Sequence, residues 1–245
     1  MPETDLAAPG LGKVFLTAGW RHLLLLNYAT DPGVLEPLLP PGCELDFYEG
    51  RPYVSLVAFQ FKDTKVLGVK WPGFINFPEV NLRFYVRYRG ERGVCFVREH
   101  VPSRLLAWIA RTIYHEPYKK AVMTEAVTAE AGGIAAAYHL KEGRHGLSLK
   151  VRARNQPTMP PENSMEHFFK EHELGVGTGP AGDTLTYRVH HPHWRVFPIE
   201  TFTVSIDGAG LYGERFAFLS GRPPDSVVFA EGSQIVVYGK GGRRG

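Results

Sequence analysis

Residues 116–123 read Glu-Pro-Tyr-Lys-Lys-Ala-Val-Met, which sets Lys119 and Lys120 between a proline and an apolar run. A lysine drawn into the edge of a core loses the hydration that stabilises its ammonium, and a second cation beside it repels the charge further. Both effects favour the neutral amine, a nucleophile toward carbonyl carbon. Left in water, the same pair is a solvated charge and no more. Pro117 cannot continue a helix and disfavours helical backbone at Glu116, so a strand is expected to begin at the lysines. Lys119 would then share a face with Ala121 and Met123, and Lys120 with Tyr118 and Val122. At most one of the two enters an interior. A carboxylate against that lysine, from Glu79 or Glu116, would keep it charged and make it structural or ligand-binding.

A second chemical stretch is Glu79-Val-Asn-Leu-Arg-Phe-Tyr-Val-Arg. Alternation puts Glu79, Asn81, Arg83, Tyr85 and Arg87 on one face and Val80, Leu82, Phe84 and Val86 on the other. The polar face is either a solvated side of a sheet or the lining of a cavity, where Glu79, Asn81 and Arg83 would orient a charged ligand. Residues 94–100 repeat the theme. Regular alternation places Arg98 with Val94 and Phe96, and Glu99 with Cys95 and Val97. An arginine in such company either snorkels or pairs.

Other motifs carry less. Gly177-Thr-Gly-Pro-Ala-Gly182 has dinucleotide-fingerprint spacing, but the fingerprint needs a helix after it and the pattern here gives a strand, so a turn is expected. His191 and His193 lie on one side of an extended chain with no carboxylate or cysteine within a few residues. No metal site and no cofactor are expected. Cys43 and Cys95, the two cysteines of the chain, are too few for a disulfide framework and are expected to act as small hydrophobes.

The elements that must position these residues are mainly strands. Period-2 segments bounded by Gly, Pro, Asp or Asn are expected at 54–61, 80–88, 94–100, 134–140, 147–153, 184–190, 201–206, 213–219 and 233–238, with a hairpin turn across 88–93. Helices are expected over 31–39, opened by Asp31-Pro32, over 103–114, and over 165–172 behind an Asn163/Glu166 capping box. Many strands with few helices argue for one mainly β domain over 13–239, built as a closed or strongly curved antiparallel sheet. Residues 1–12 are expected to be unstructured or extended, and 240–245 a frayed tail.

Bulk properties set the setting. The net charge of +3 in 245 residues resides in that tail, so a nucleic-acid partner is not expected. The N-terminal residues lack the charge and apolar pattern of a secretion signal, and the run Leu23–Leu26 is too short for a bilayer. A cytoplasmic protein without membrane association is expected, its partner a small molecule, its oligomeric state left open.

Three stretches, "NYATDPGVLEPLLPPGCELDFYEGRPYVSLVAF", "FPEVNLRFYVR" and "HHPHWRV", resemble the bacterial proteins grouped as domain of unknown function 2071. The resemblance spans about 14–238. That family stands beside acetoacetate decarboxylase, which implies a curved, cone-like antiparallel β-barrel. The decarboxylase motif is a helix, then Gly-Phe-Pro, then a Lys-Lys pair entering a strand; this chain has Glu116-Pro117-Tyr118 before its pair. The resemblance implies Lys119 as an imine-forming lysine, Lys120 as its cationic neighbour and Glu79 as an acidic pocket residue. Two functions follow as expectations. One is a barrel binding a small acidic or apolar compound, with Asn81, Arg83, Arg98 and Glu116 as ligand contacts. The other is a lyase acting on a small oxo acid through Lys119.

Overall fold

The structure, a computed structural model, describes residues 14–103 and 117–238. Glu116, both termini and all but the first residue of the helix expected at 103–114 lie outside the described residues.

Among the described residues the strands form two sheets. The large sheet holds β1 (Val14–Ala29), β2 (Cys43–Leu45), β4 (Arg51–Val66), β5 (Phe77–Tyr88), β6 (Glu91–Val101), β7 (Tyr118–Lys120), β11 (Leu174–Thr178), β12 (Thr184–His190) and β14 (Ser226–Tyr238), with β3 (Phe47–Tyr48) paired to β4. β5 pairs with both β4 and β6, so the pairings pass from β5 through β4, β1, β14, β12, β11 and β6 back to β5. β6 runs parallel to β7 and β11, a departure from the all-antiparallel expectation. The small sheet is β13-β10-β9-β8, made of β8 (Val122–Glu130), β9 (Gly133–Glu142), β10 (His145–Arg154) and β13 (Ile199–Ile206).

Two apolar clusters follow from strand parity. Val54, Leu56 and Ala58 of β4 and Val80, Leu82 and Phe84 of β5 face one cluster, which also takes in Tyr138, Leu149 and Val151 of the small sheet. Tyr53, Val57, Phe59 and Phe61 of β4 face the other, with residues of β1, β5, β6, β12 and β14. β1 is buried on both sides: Leu24 and Leu26 enter the first cluster, Leu23 and Leu25 the second. Alternation does not reveal such a strand, because a chain covered on both faces is apolar at every position.

Helices are short. α1 (Pro32–Leu35) continues into a 3₁₀ turn, Glu36–Leu38. α2 (Met165–Lys170) is capped by Ser164, whose hydroxyl accepts from the His167 amide at 3.2 Å, one residue past the expected cap at Asn163. α3 (Gly208–Tyr212) is followed by Gly213 at φ 99° and a 3₁₀ helix, Glu214–Leu219, where a strand was expected. The buried residues there are Phe216 and Leu219, spaced three apart, so the period is that of a 3₁₀ turn. The β5–β6 hairpin turns on Arg89 and Gly90, both at positive φ, as a two-residue loop demands. The Gly177–Gly182 stretch closes the β11–β12 hairpin and leads into no helix. No described helix is long and apolar enough to cross a membrane.

Candidate functional site

The polar face of β5 is turned inward. Glu79, Asn81 and Arg83 project on the side of the second apolar cluster and line a cavity of about 100 Å³. Its apolar wall comes from β1 and β4, through Trp20, Val57, Phe59 and Phe61, and from Trp194. The aromatic rings meet edge to face, Trp20 to Phe59 at 5.2 Å and Trp20 to Trp194 at 6.1 Å. Such packing fixes the wall without filling the space before the polar stripe.

β6 contributes through a bulge. Arg83 pairs with Phe96 and Leu82 with Arg98, so Val97 is the extra residue. An extra residue reverses the alternation beyond it. Phe96 and Glu99 therefore both line the cavity, whereas Arg98 turns away and its guanidinium donates to the carbonyl of Leu211. The expected faces of Arg98 and Glu99 are exchanged, and the expected ligand contact at Arg98 is not at the cavity.

The same register settles the lysine pair. β7 pairs Glu99 with Tyr118, His100 with Lys119 and Val101 with Lys120. Tyr118 takes the inward position beside Glu99. Lys119 points to the other face, where its ammonium pairs with Glu142, and its side chain is 46% exposed. Lys120, at the end of a three-residue strand, is also exposed. Neither of the two lines the cavity.

A different lysine does. Lys170 ends α2 with its side chain fully buried, its ammonium paired with Glu171. Burial pushes that ammonium down to about 8, while an adjacent carboxylate works to hold the charge. His172 follows, both ring nitrogens buried and without a hydrogen-bond partner. Burial, reinforced by the Arg83 charge, holds its pKa well below the usual imidazole range, so it is neutral. Glu99, Tyr118, Lys170 and His172 are among the cavity residues that alternation did not place there. The one trace of them is the charged run Lys170-Glu171-His172 directly after Phe168-Phe169.

Glu79 is the centre of the polar cluster. Asn81 Nδ2 donates to its Oε1 at 3.0 Å and the Tyr118 hydroxyl to its Oε2 at 3.3 Å, and Glu99 lines the same cavity. Burial pushes its carboxyl up to about 7, against the lowering pull of these bonds and of Arg83. Arg83 donates through Nη2 to the Phe169 carbonyl at 2.9 Å, while its Nε is buried without a partner. No carboxylate among the described residues forms an ion pair with it. His191 stacks on Trp194 at 4.1 Å and His193 meets His167 edge on at 5.5 Å, so the two histidines expected to share a side have separate ring partners.

A family model described as an uncharacterized conserved protein, the domain of unknown function 2071, matches residues 17–234. The chain belongs to this family. The uncharacterized protein YqjF of Bacillus subtilis (strain 168) is 34% identical over 181 residues, covering 71% of this chain and 72% of that protein. Among solved structures, an acetoacetate decarboxylase-like enzyme from Sphingomonas wittichii RW1 superposes with a TM-score of 0.64 at 15% identity, covering 98% of both chains. Acetoacetate decarboxylase from Legionella pneumophila gives 0.59 at 18% identity, covering 97% of this chain and 92% of that one. The enduracididine biosynthesis enzyme MppR, complexed with the condensation product of pyruvate and imidazole 4-carboxaldehyde, gives 0.63 at 13% identity, covering 98% and 91%. At such identities the likeness is one of fold, and the fold is acetoacetate decarboxylase-like and mainly β.

Proposed function

We propose that the chain binds a small acidic compound with an apolar body inside this cavity. The observation that carries the reading is Arg83, a buried cation with an unpartnered Nε, facing an aromatic wall. A buried N–H donor without an acceptor is costly, and a ligand carboxylate would accept from it. At about 100 Å³ the cavity is well under the ~300–1,000 Å³ of drug-sized sites, which limits the occupant to a few carbons beyond its acid group. Solved relatives by fold include one complexed with pyruvate, a small acid. The test is calorimetry with butyrate, isovalerate and benzoate. Saturable binding that Arg83→Gln weakens at least about tenfold supports the reading, and no heat from any of the three ends it.

A second reading, imine formation with an oxo acid, is favoured by one observation: the buried amine of Lys170, about half neutral at pH 8. Lys119, the residue the family resemblance implies, is exposed, outside the cavity and paired with Glu142. Borohydride trapping with acetoacetate or pyruvate separates the sites by peptide mapping. An adduct on Lys170 supports imine chemistry there, an adduct on Lys119 restores the resemblance-based assignment, and no adduct leaves the binding reading alone.

A further inference from the structure

Three side chains that line the cavity carry polar atoms without a hydrogen-bond partner, and they differ in what they offer. Arg83 Nε is a donor, Asn81 Oδ1 is an acceptor, and the neutral ring of His172 holds one N–H and one lone pair. All three side chains are more than nine-tenths buried, at 9%, 2% and 8% exposure. Unmet polar atoms at such depth are costly, and each calls for a ligand group of the opposite kind. Arg83 and His172 lie together: the guanidinium is 5.9 Å from the centre of the Tyr85 ring and the His172 ring is 4.9 Å from it. The two donors at this end, Arg83 Nε and the imidazole N–H, match the two oxygens of a carboxylate. Asn81 stands two residues before Arg83 on the same face of β5, about 7 Å along the strand. Its amide nitrogen is engaged by Glu79 at 3.0 Å, which leaves Oδ1 as the atom to be met.

An acid with a plain alkyl body would satisfy Arg83 and His172 but leave Asn81 Oδ1 unmet. An oxo group is an acceptor and cannot meet it either. An ammonium would bring three N–H donors and a charge to a single acceptor. A hydroxyl brings one donor and no charge. We propose that the cavity prefers a short hydroxy monocarboxylate, its carboxylate held by Arg83 and His172 and its hydroxyl donating to Asn81 Oδ1. Asn81 is then the residue that sets specificity. A methyl group in place of the hydroxyl has nearly the same size, and it is rejected because the buried acceptor stays unpaired.

This inference rests on the small-acid reading above and adds the second functional group of the ligand. The experiment is calorimetric titration of the full chain with two series of matched size. Lactate, alanine and isobutyrate carry a hydroxyl, an ammonium and a methyl group on the same carbon. The acids β-hydroxybutyrate, β-aminobutyrate and isovalerate do so one carbon further out. In at least one series the hydroxy acid is expected to bind at least about tenfold more tightly than its methyl counterpart, the worth of about one hydrogen bond, and more tightly than its ammonium counterpart. Asn81→Leu is expected to abolish that preference, whereas His172→Phe is expected to weaken both members of the pair alike and keep their ratio. Should Asn81→Leu not fold, Asn81→Ala is read in the same way. Equal binding of hydroxy and methyl acids in both series, tighter binding of an ammonium counterpart, a preference undiminished in the Asn81 variant, or its loss in His172→Phe overturns the inference and leaves the small-acid reading standing. No heat from any of these acids, or from butyrate and benzoate, removes the small-acid reading and this inference with it.

Discussion

Glu79 shows how one buried carboxyl sets both chemistry and stability. Its ordinary value of 4.5 is raised to about 7 in the fold, chiefly by burial. Between those values the folded chain holds a proton that the unfolded chain has released. The contribution of Glu79 is therefore fully present below about 4.5 and is lost as pH rises through 7. The loss is on the order of 3 kcal/mol, from the size of that rise. Glu79→Gln keeps a neutral group of similar shape. Urea unfolding across pH 4.5–8.5 should show the variant gaining on the wild type as pH rises, and becoming the more stable protein at pH 8. A constant difference between the two at every pH would mean that Glu79 is not held protonated by its surroundings.

At the scale of elements, irregularities in long strands aim the cavity residues. The bulge at Val97 sends Glu99 inward, and the register shifts of β1 against β4 accompany Trp20 at the cavity wall. Across from this part of β1, Gly232 of β14 pairs with Arg21 at φ 81°. A Cβ on Gly232 would stand 2.1 Å from the Trp20 carbonyl oxygen, a backbone atom that cannot rotate away. Gly232→Ala thus meets both left-handed strain and a backbone clash. It should destabilise the chain by about 1–3 kcal/mol or more. The measurement is the denaturation midpoint, read by tryptophan fluorescence because Trp20 sits at the clash. A variant as stable as the wild type would show that β1 and β14 are not locked together there.

Over the whole molecule, the first apolar cluster joins the small sheet to the ring of strands, with Leu149 and Tyr138 packed among Leu56, Leu82 and Phe84. The two sheets share a core, and we propose a single folding unit over about 13–239. Leu149→Ala removes buried contacts in the small sheet and should cost about 2–5 kcal/mol. Far-UV circular dichroism and the fluorescence of Trp20 and Trp194, which lie in the other cluster, should shift together to a lower midpoint. Two separated transitions, with only one moved by the substitution, would divide the chain into independent units.

How much of this was legible in the residues depends on how far the determining contact lies along the chain. The faces of β5 were readable, because Glu79-Val-Asn-Leu-Arg carries its parity in adjacent residues, and the exposed positions are local. So were the β5–β6 hairpin at Arg89-Gly90 and the strand 184–190, since turn chemistry and alternation act within a few residues. Whether the polar face of β5 met water or a cavity was not readable, since that depends on β1, β4 and the end of α2 arriving opposite it. The lysine pair failed for the same reason. Pro117 correctly begins a strand, yet the parity of Lys119 is set by the parallel pairing of Tyr118 with Glu99, two segments far apart in register. A one-residue bulge at Val97 then decided which of Arg98 and Glu99 entered the site. Local sequence determines period and turn because backbone torsions and neighbouring side chains act at short range; inward direction and burial are set by packing between distant strands, and that decided which charges became chemical groups.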